Sequence, residues 1–360
     1  MPASDRQPES RLTAWVLAAP GAGDNQQLRA LVELLGADAR WIDQVDPVAR
    51  VLRDRLAGLL ASGVPSDKRM TYTTPWPDLV LVAGGRSVID ALRIRNASSG
   101  RSRVVCLGRP WAPLHWFDLI ITSPQYRLPT ADNVVMLDLP LNFPSCPPGH
   151  VLAQWRNEFD CLPRPLLGVL LGGDSGSYRF DDASAERLSD LVKKLVESAH
   201  GSAVVVGSPR TPVSAVKRLN ECLDDRARLY PWAPEAPNPY ASVLELADAL
   251  MVTGDSASML AEACHSGKPV TLFNPRERVR SRLNRRLRFA KSMPGRITQA
   301  LTARGLWIPA RDMPALHQRA KASGWLTDPE LLFGASDSIA KPEPPLDMIR
   351  KRVKALVRRD

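Results

Sequence analysis

Short apolar runs ending in glycine or small-residue turns alternate with helical patterns twice along this sequence, and a proline-rich stretch separates the two series. No other feature constrains the fold as much. Parallel strands need crossover connections, and helices serving as those connections cover both faces of the sheet. In the first series the run Leu12 to Ala19 meets Pro20-Gly21-Ala22-Gly23, and Asp24 then opens a helical pattern carried by Leu28, Leu31, Val32 and Leu35. That is strand, glycine loop, helix. Further strands are expected at Ala39 to Ile42, Asp78 to Ala83, Arg103 to Leu107, Asp118 to Thr122 and Asn133 to Leu137, with helices at Pro47 to Leu60 and Ser87 to Arg95.

Prolines crowd Pro140 to Pro148, and Pro163 and Pro165 precede the next strong strand, so the domain boundary is expected near residue 160. The second series predicts strands at Leu166 to Leu171, Ala203 to Val206, Arg228 to Tyr230, Ala249 to Val252 and Pro269 to Phe273. Its helices are expected at Ala183 to Ala199, from Thr211, at Tyr240 to Leu246 and at Ser256 to His265. Thr211 followed by Pro212 reads as a helix cap with proline at the first helical position. The expected fold is α/β: two Rossmann-like domains whose parallel sheets face a cleft, at residues 12–160 and 161–335. A disordered segment 1–11 precedes them, and a linker with a basic helix at 336–360 follows.

Composition agrees with a globular protein of that size: 360 residues, 44% hydrophobic and 24% charged, enough for two cores. Five widely spaced cysteines without a CxxC pair argue against a disulfide framework or a zinc site and suit a reducing cytosol. No apolar run approaches the roughly 18 residues of a membrane span. The net charge of +10 is local: Arg276 to Arg296 contributes +8 and Lys341 to Asp360 contributes +4, leaving about −2 for the rest.

Two segments of the second series carry candidate chemistry. Leu171-Gly172-Gly173-Asp174-Ser175-Gly176-Ser177 follows its first strand, and glycines there let backbone N–H groups approach a pyrophosphate. A glycine turn without a ligand is the alternative, since parallel strands end in such loops throughout α/β folds. In Ala247 to Ala263, followed by Gly267-Lys268-Pro269-Val270, a strand runs into the turn Thr253-Gly254-Asp255-Ser256, and a helix holding Ser258 and Glu262 follows. A helix start of this kind suits a phosphate, and a carboxylate further along one face can accept both hydroxyls of a ribose. The bland alternative is that Asp255 or Ser256 caps the helix and Glu262 is solvated. Ser208-Pro209-Arg210-Thr211 opens a further helix toward the same sheet edge, where Ser208 and Arg210 are candidates for a second phosphate contact.

The pattern from Ala247-Asp248 through Gly254-Asp255-Ser256-Ala257-Ser258-Met259-Leu260-Ala261-Glu262-Ala263 to Gly267-Lys268-Pro269-Val270 resembles the nucleotide-sugar motif of inverting GT-B glycosyltransferases. One of these is the peptidoglycan-precursor N-acetylglucosaminyltransferase. The resemblance implies that Glu262 binds the ribose and that Gly172, Gly173, Asp174 and Ser175 lie near the diphosphate. Retaining GT-B enzymes resemble one another in a second glutamate eight positions earlier, and Gly254 stands there, which points to inversion. A second resemblance covers most of the chain. Pro20 to Gln26, Pro77 to Val80 with Ala83 to Arg86, Leu107 to Pro110, Phe117-Asp118, Thr122 to Tyr126 and Gly172 to Ser175 look like the elongated-mitochondria family. That family is named for a plant mitochondrial-fission factor and contains many bacterial chains inferred to be glycosyltransferases.

This second resemblance implies an acceptor side built from Gly21 to Gln26, with Gly23, Asn25 and Gln26, together with Gly84 to Ser87 and Gln125-Tyr126. Asp24 is either a general base for the acceptor hydroxyl or the N-cap of its helix. The peptidoglycan enzyme has a histidine in its corresponding loop and this chain has none. Arg86 and Arg109 either clamp an anionic group or solvate a surface. The five histidines show no ligand spacing and receive no role. From Arg276 to Lys291, Val279, Leu283 and Leu287 form one apolar stripe among arginines, which suits an anionic inner-leaflet membrane surface or a solvated helix. Sparse aromatics exclude nucleic acid as the favoured partner.

The expected activity is an inverting, metal-independent glycosyl transfer from a nucleotide-diphosphate sugar to a hydroxyl of an anionic or lipid-linked, cell-envelope acceptor. It needs no cofactor beyond the donor, and the expected location is the cytoplasm or the cytoplasmic membrane face. The rivals are a UDP-sugar 2-epimerase and a membrane-recruiting adaptor without turnover.

Overall fold

The structure, a computed structural model, describes residues 11–43, 72–85, 87–278, 295–334 and 342–357. The expected helix Pro47 to Leu60, the candidate Arg86, most of the basic run Arg276 to Lys291 and most of the expected linker lie outside them. In chain order the first elements are β1 (Thr13–Leu17), α1 (Ala22–Leu35), β2 (Asp38–Ile42), β3 (Leu79–Gly85), α2 (Val88–Ala97), β4 (Arg103–Pro110), β5 (Leu119–Thr122) and β6 (Val134–Met136). Next come α3 (Gly149–Phe159), β7 (Leu166–Leu170), β8 (Tyr178–Arg179), α4 (Asp182–Ala199), β9 (Ser202–Val206), α5 (Val213–Cys222), β10 (Ala227–Tyr230) and α6 (Tyr240–Leu246). The chain continues through β11 (Ala249–Thr253), α7 (Ala257–His265), β12 (Val270–Phe273), β13 (Arg276–Glu277), α8 (Gly295–Ala303), α9 (Met313–Ala322) and α10 (Leu346–Val357). Among the described residues, no helix is long and apolar enough to cross a membrane.

Two compact units result, each with its own parallel sheet, as the alternation predicts. The first sheet has the order β2-β1-β3-β4-β5-β6 and the second the order β10-β9-β7-β11-β12. In the second unit the strand residues sort by parity. Leu166, Leu170, Val204, Val206, Leu250 and Val252 pack with α6, α7 and α9, while Leu167, Val169, Val205, Ala249 and Met251 pack with α4 and α5. Both faces are therefore covered, which is why these strands read as continuous apolar runs. Truncating a fully buried side chain such as Leu250 would cost about 2–5 kcal/mol. In the first unit, Trp15, Val80, Val82, Val104 and Ile120 pack with Val88, Ile89, Leu92 and Ile94 of α2. Gly36 ends α1 in the left-handed region at φ 61°, where its N–H reaches the Glu33 carbonyl, a conformation that glycine adopts without cost.

The division between units differs from the expected one. It falls between Leu137 and Asp138, and residues 295–310 and 344–357 return to the first unit. The proline-rich stretch is not a free link: Leu139 is buried in the second unit's core, the Asn142 carbonyl lies 2.6 Å from His265 Nδ1, and Phe143 stacks on His265 at 4.5 Å. Trp155 and Phe159 place α3 in that same core. In the other direction, Ala303 of α8 packs on the first unit's core, and Arg350 of α10 donates to the Leu34 carbonyl at 3.1 Å. Proline content marked a change in backbone type, whereas buried apolar contacts decide which unit a segment joins.

Candidate functional site

In the second sheet the chain lays down β7, β9 and β10 toward one edge and then returns to the far side of β7 for β11 and β12. The order therefore reverses between β7 and β11. In open α/β sheets the crevice outside the carboxyl ends of the strands at such a reversal is where ligands bind. The loops after β7, β9 and β11 carry Gly172 to Ser175, Ser208 to Thr211 and Gly254 to Ser256, with Ser258 in the first turn of α7, so these expected site residues share the carboxyl end of three adjacent strands.

Side chains lock those loops into one frame. The Gly172 amide donates to Thr253 Oγ1 at 2.7 Å, and the Gly173 amide donates to Asp255 Oδ2 at 3.0 Å. Thr253 Oγ1 in turn donates to Asp255 Oδ1 at 2.7 Å. On the other flank, Ser208 Oγ and Thr211 Oγ1 both donate to the Gly172 carbonyl at 2.6 Å. Arg210 closes the ring with an ion pair to Asp255 at 3.0 Å. Backbones approach so closely here that a Cβ on Gly172 would overlap the Asp255 carboxylate, and one on Gly173 would overlap the Arg210 carbonyl. Both glycines are therefore required by space.

This frame changes two expected roles. Asp255 does not cap α7. Ser256 holds the N-cap position without a side-chain cap bond, and its hydroxyl lies 3.4 Å from that of Ser258. The first amides of α7 thus stand beside the glycine loop with their partial positive charge, without a capping carboxylate. Thr211 does not cap its helix either. Pro212 is the N-cap of α5, and the Thr211 hydroxyl accepts from the Ser208 amide at 2.9 Å while it holds Gly172. Burial raises the Asp255 carboxyl above its ordinary value, and the Arg210 guanidinium opposes that shift.

Asp174 and Ser175 shape the loop. Asp174 accepts from the Phe180 amide and from Arg278, both at 2.9 Å, and Ser175 Oγ accepts from the Tyr178 amide at 3.2 Å. Arg278 also donates to the Tyr178 carbonyl at 3.2 Å, which ties the start of the basic run to the glycine loop. Glu262 is buried on α7 and accepts from the Tyr240 hydroxyl at 2.7 Å, so it is not a solvated side chain. Burial, and then the Glu262 charge, push the Tyr240 phenol well above its ordinary value.

His317, given no role from sequence, stacks on Tyr178 at 6.4 Å and lies against Gly254, where a Cβ would fall 2.8 Å from the ring Cε1. Its burial pulls the imidazole down to about 4, only partly offset by the Gly254 backbone and Asp312. Periodicity along α9 marks His317 as a core position, and nothing in the sequence ties it to a turn 63 residues earlier.

In the first unit the sheet order reverses between β1 and β3; Gly21 to Gln26 follow β1 and open α1, Gly84 and Gly85 end β3, and Ser87 is the N-cap of α2. Gly21 is the N-cap of α1, and Asp24 is a half-buried residue of its first turn. A Cβ on Gly21 would stand 3.1 Å from Asp24 Oδ2. Gly23 and Gln26 belong to the same first turns of α1. Asn25 pins the loop, accepting from the Ala19 amide at 2.7 Å and donating to the Ala19 carbonyl at 2.8 Å. Arg109, expected either to clamp an anionic group or to solvate a surface, is half-buried and donates to the Pro309 carbonyl, with its guanidinium 5.7 Å from the centre of the Tyr126 ring. Gln125 and Tyr126 form a buried 3-10 turn after β5.

The sequence profile described as Mitochondrial fission ELM1 matches residues 22–327. The Mitochondrial fission protein ELM1 of Arabidopsis thaliana is 29% identical over 231 residues, 58% of this chain and 54% of the relative. An uncharacterized protein of Rickettsia prowazekii is 21% identical over 55% of this chain and 65% of its own length, so this chain spans less than two thirds of either curated relative. Among solved structures, a glycosyltransferase from Rickettsia africae aligns over 98% of this chain and all of its own, with 10% identity and a TM-score of 0.47. The UDP-GlcNAc 2-epimerase of Methanocaldococcus jannaschii aligns over 96% and 99%, with 12% identity and a TM-score of 0.48.

Proposed function

The chain belongs to the Mitochondrial fission ELM1 family, and from that premise and the geometry of its second unit we propose that it is an inverting glycosyltransferase of the GT-B type. The donor is a nucleotide-diphosphate sugar. One observation carries the reading: Asp255 is drawn off the start of α7 to bind Gly173 and Arg210, and the uncapped helix start is left beside a glycine loop at the sheet's reversal point. The first amides of α7 then receive the diphosphate, with Ser256 and Ser258 beside it, while the Gly172 to Ser175 loop, whose amides are bound within the protein, lets the backbone come close to it. Arg210 keeps 42% of its side chain exposed while pairing with Asp255, so it can also face a phosphate. Glu262 accepts the ribose hydroxyls.

The mechanism is electrostatic at the leaving group. Diphosphate charge develops as the glycosidic bond breaks, and preorganised amides that need not reorient stabilise it. On the acceptor side, Asp24 takes the proton of the attacking hydroxyl, and Asn25 fixes the loop that presents Asp24. The acceptor is a hydroxyl on an anionic or lipid-linked molecule, in keeping with the basic run from Arg276 to Arg296.

Calorimetry with UDP, GDP and ADP tests the binding. One of them should bind to the wild-type chain, and Glu262→Ala should weaken it by roughly tenfold or more. Release of the same nucleotide from a panel of donor sugars in the presence of a membrane extract tests transfer, and conversion of the donor to its 2-epimer would instead identify an epimerase. A chain that binds no nucleotide defeats both enzyme readings and leaves the adaptor.

A further inference from the structure

The geometry points to Tyr240 as the residue that positions Glu262 for the ribose, an inference that rests on the donor site proposed above. Glu262 lies on α7 and Tyr240 is the first residue of α6, 22 positions earlier. The phenol donates to Glu262 Oε2 at 2.7 Å. A carboxylate this deeply buried needs donors, and the phenol is a rigid one: it has few rotamers and its ring packs against the core of the unit. Committing one oxygen to the phenol fixes the plane and rotation of the carboxylate, as outer hydrogen bonds orient a metal-binding carboxylate.

Tyr240 is itself held from the site. Asn238 Oδ1 accepts from the Tyr240 amide at 2.9 Å, and Asn238 Nδ2 donates to the Gly207 carbonyl at 3.4 Å. Gly207 precedes Ser208, whose hydroxyl holds the Gly172 carbonyl. One chain of hydrogen bonds therefore runs from the glycine loop through Ser208, Gly207, Asn238 and Tyr240 to Glu262. It places the candidate diphosphate and ribose contacts in a single frame.

The test compares UDP, GDP and ADP with their 2′,3′-dideoxy counterparts by calorimetry on the full chain, using whichever base the wild type holds most tightly. Tyr240→Phe keeps the ring and removes only the donor. It is expected to lower the preference for ribose over dideoxyribose roughly tenfold, with affinity for the dideoxy nucleotide within about twofold of wild type. A purely structural phenol would change both affinities together. In a Glu262→Gln background, adding Tyr240→Phe should lower the preference no further. A preference unchanged in Tyr240→Phe but lost in Glu262→Gln overturns the role of Tyr240 and leaves ribose recognition by Glu262 intact. A preference unmoved by Glu262→Gln, or a wild type that binds no nucleotide, overturns the ribose site and this inference with it. If Tyr240→Phe fails to fold, Asn238→Ala is read by the same ratio, where a loss supports the inference and an unchanged ratio overturns it.

Discussion

Asp255 accepts the Gly173 amide at 3.0 Å, so the turn after β11 holds the turn after β7 in place across the sheet's reversal point. The same carboxylate pairs with Arg210, with its own side chain fully buried. Asp255→Ala leaves a buried amide without its acceptor and a guanidinium without its partner, and should cost about 2–4 kcal/mol in denaturant unfolding. The pH dependence has a definite sign. Burial raises the folded-state value above 3.8, so the folded chain holds this proton more tightly than the unfolded chain. The Asp255 contribution to stability therefore declines as pH rises from about 4 through the raised value. Asp255→Asn should lack that decline when unfolding is compared with wild type across the window.

Gly172 admits no side chain because a Cβ would overlap the Asp255 carboxylate. Gly172→Ala should expel the carboxylate, break its bonds to Gly173 and Arg210, and destabilise by about 3 kcal/mol, with nucleotide affinity falling at least tenfold. Gly176, in the same loop, has nothing within 4 Å of its Cβ position. Gly176→Ala should stay within about 0.5 kcal/mol of wild type. Equal losses in the two variants would mean that loop flexibility, and not the Asp255 contact, sets the requirement.

His317 titrates in the opposite sense to Asp255. Burial lowers it to about 4 from an ordinary 6.5, so between those values the unfolded chain binds the extra proton. Its contribution is complete above pH 6.5 and is lost as pH falls toward 4, about 3 kcal/mol in all. His317→Gln should be less stable than wild type at pH 7.5 and should close most of that gap by pH 4.5. A gap of constant size would show that the ring matters for its packing on Tyr178 and not for its proton.

Where backbone period and loop chemistry decide the outcome, the sequence was informative. Leu166 to Leu171 is apolar at every position because both faces of β7 are covered, and the turn at Gly254-Asp255-Ser256 sits where a strand pattern gives way to a helical one. What stayed hidden depends on distances that spacing does not encode. Thr211 before proline is a good cap by local rules, yet its hydroxyl finds Gly172, 39 residues away, at 2.6 Å. Tyr240 and Glu262 meet across two helices, and neither position announces the other. The unit boundary differs from the expected one for a similar reason: prolines are visible in a sequence, whereas the burial of Leu139 and Phe159 in the second core is not.

Asp24 and Asn25 are adjacent in sequence and should separate in their effects. Asn25 holds both the Ala19 amide and the Ala19 carbonyl, so Asn25→Ala should loosen the loop and cost about 1–2 kcal/mol of stability. Asp24→Asn keeps the size of the side chain and removes only its capacity to accept a proton in the reaction. Asp24 belongs to the first unit and the candidate donor loops to the second. Nucleotide affinity in Asp24→Asn should therefore stay within about twofold of wild type, while transfer falls by roughly 100-fold or more, the usual contribution of a general base. A stopped assay of nucleotide release, run beside calorimetry on the same preparations, resolves the two quantities. If Asp24→Asn transfers at the wild-type rate, the proton leaves by another route and the glycine loop of the first unit only shapes the acceptor side. If instead Asn25→Ala loses as much transfer as Asp24→Asn, the position of the loop matters more than the carboxylate it carries.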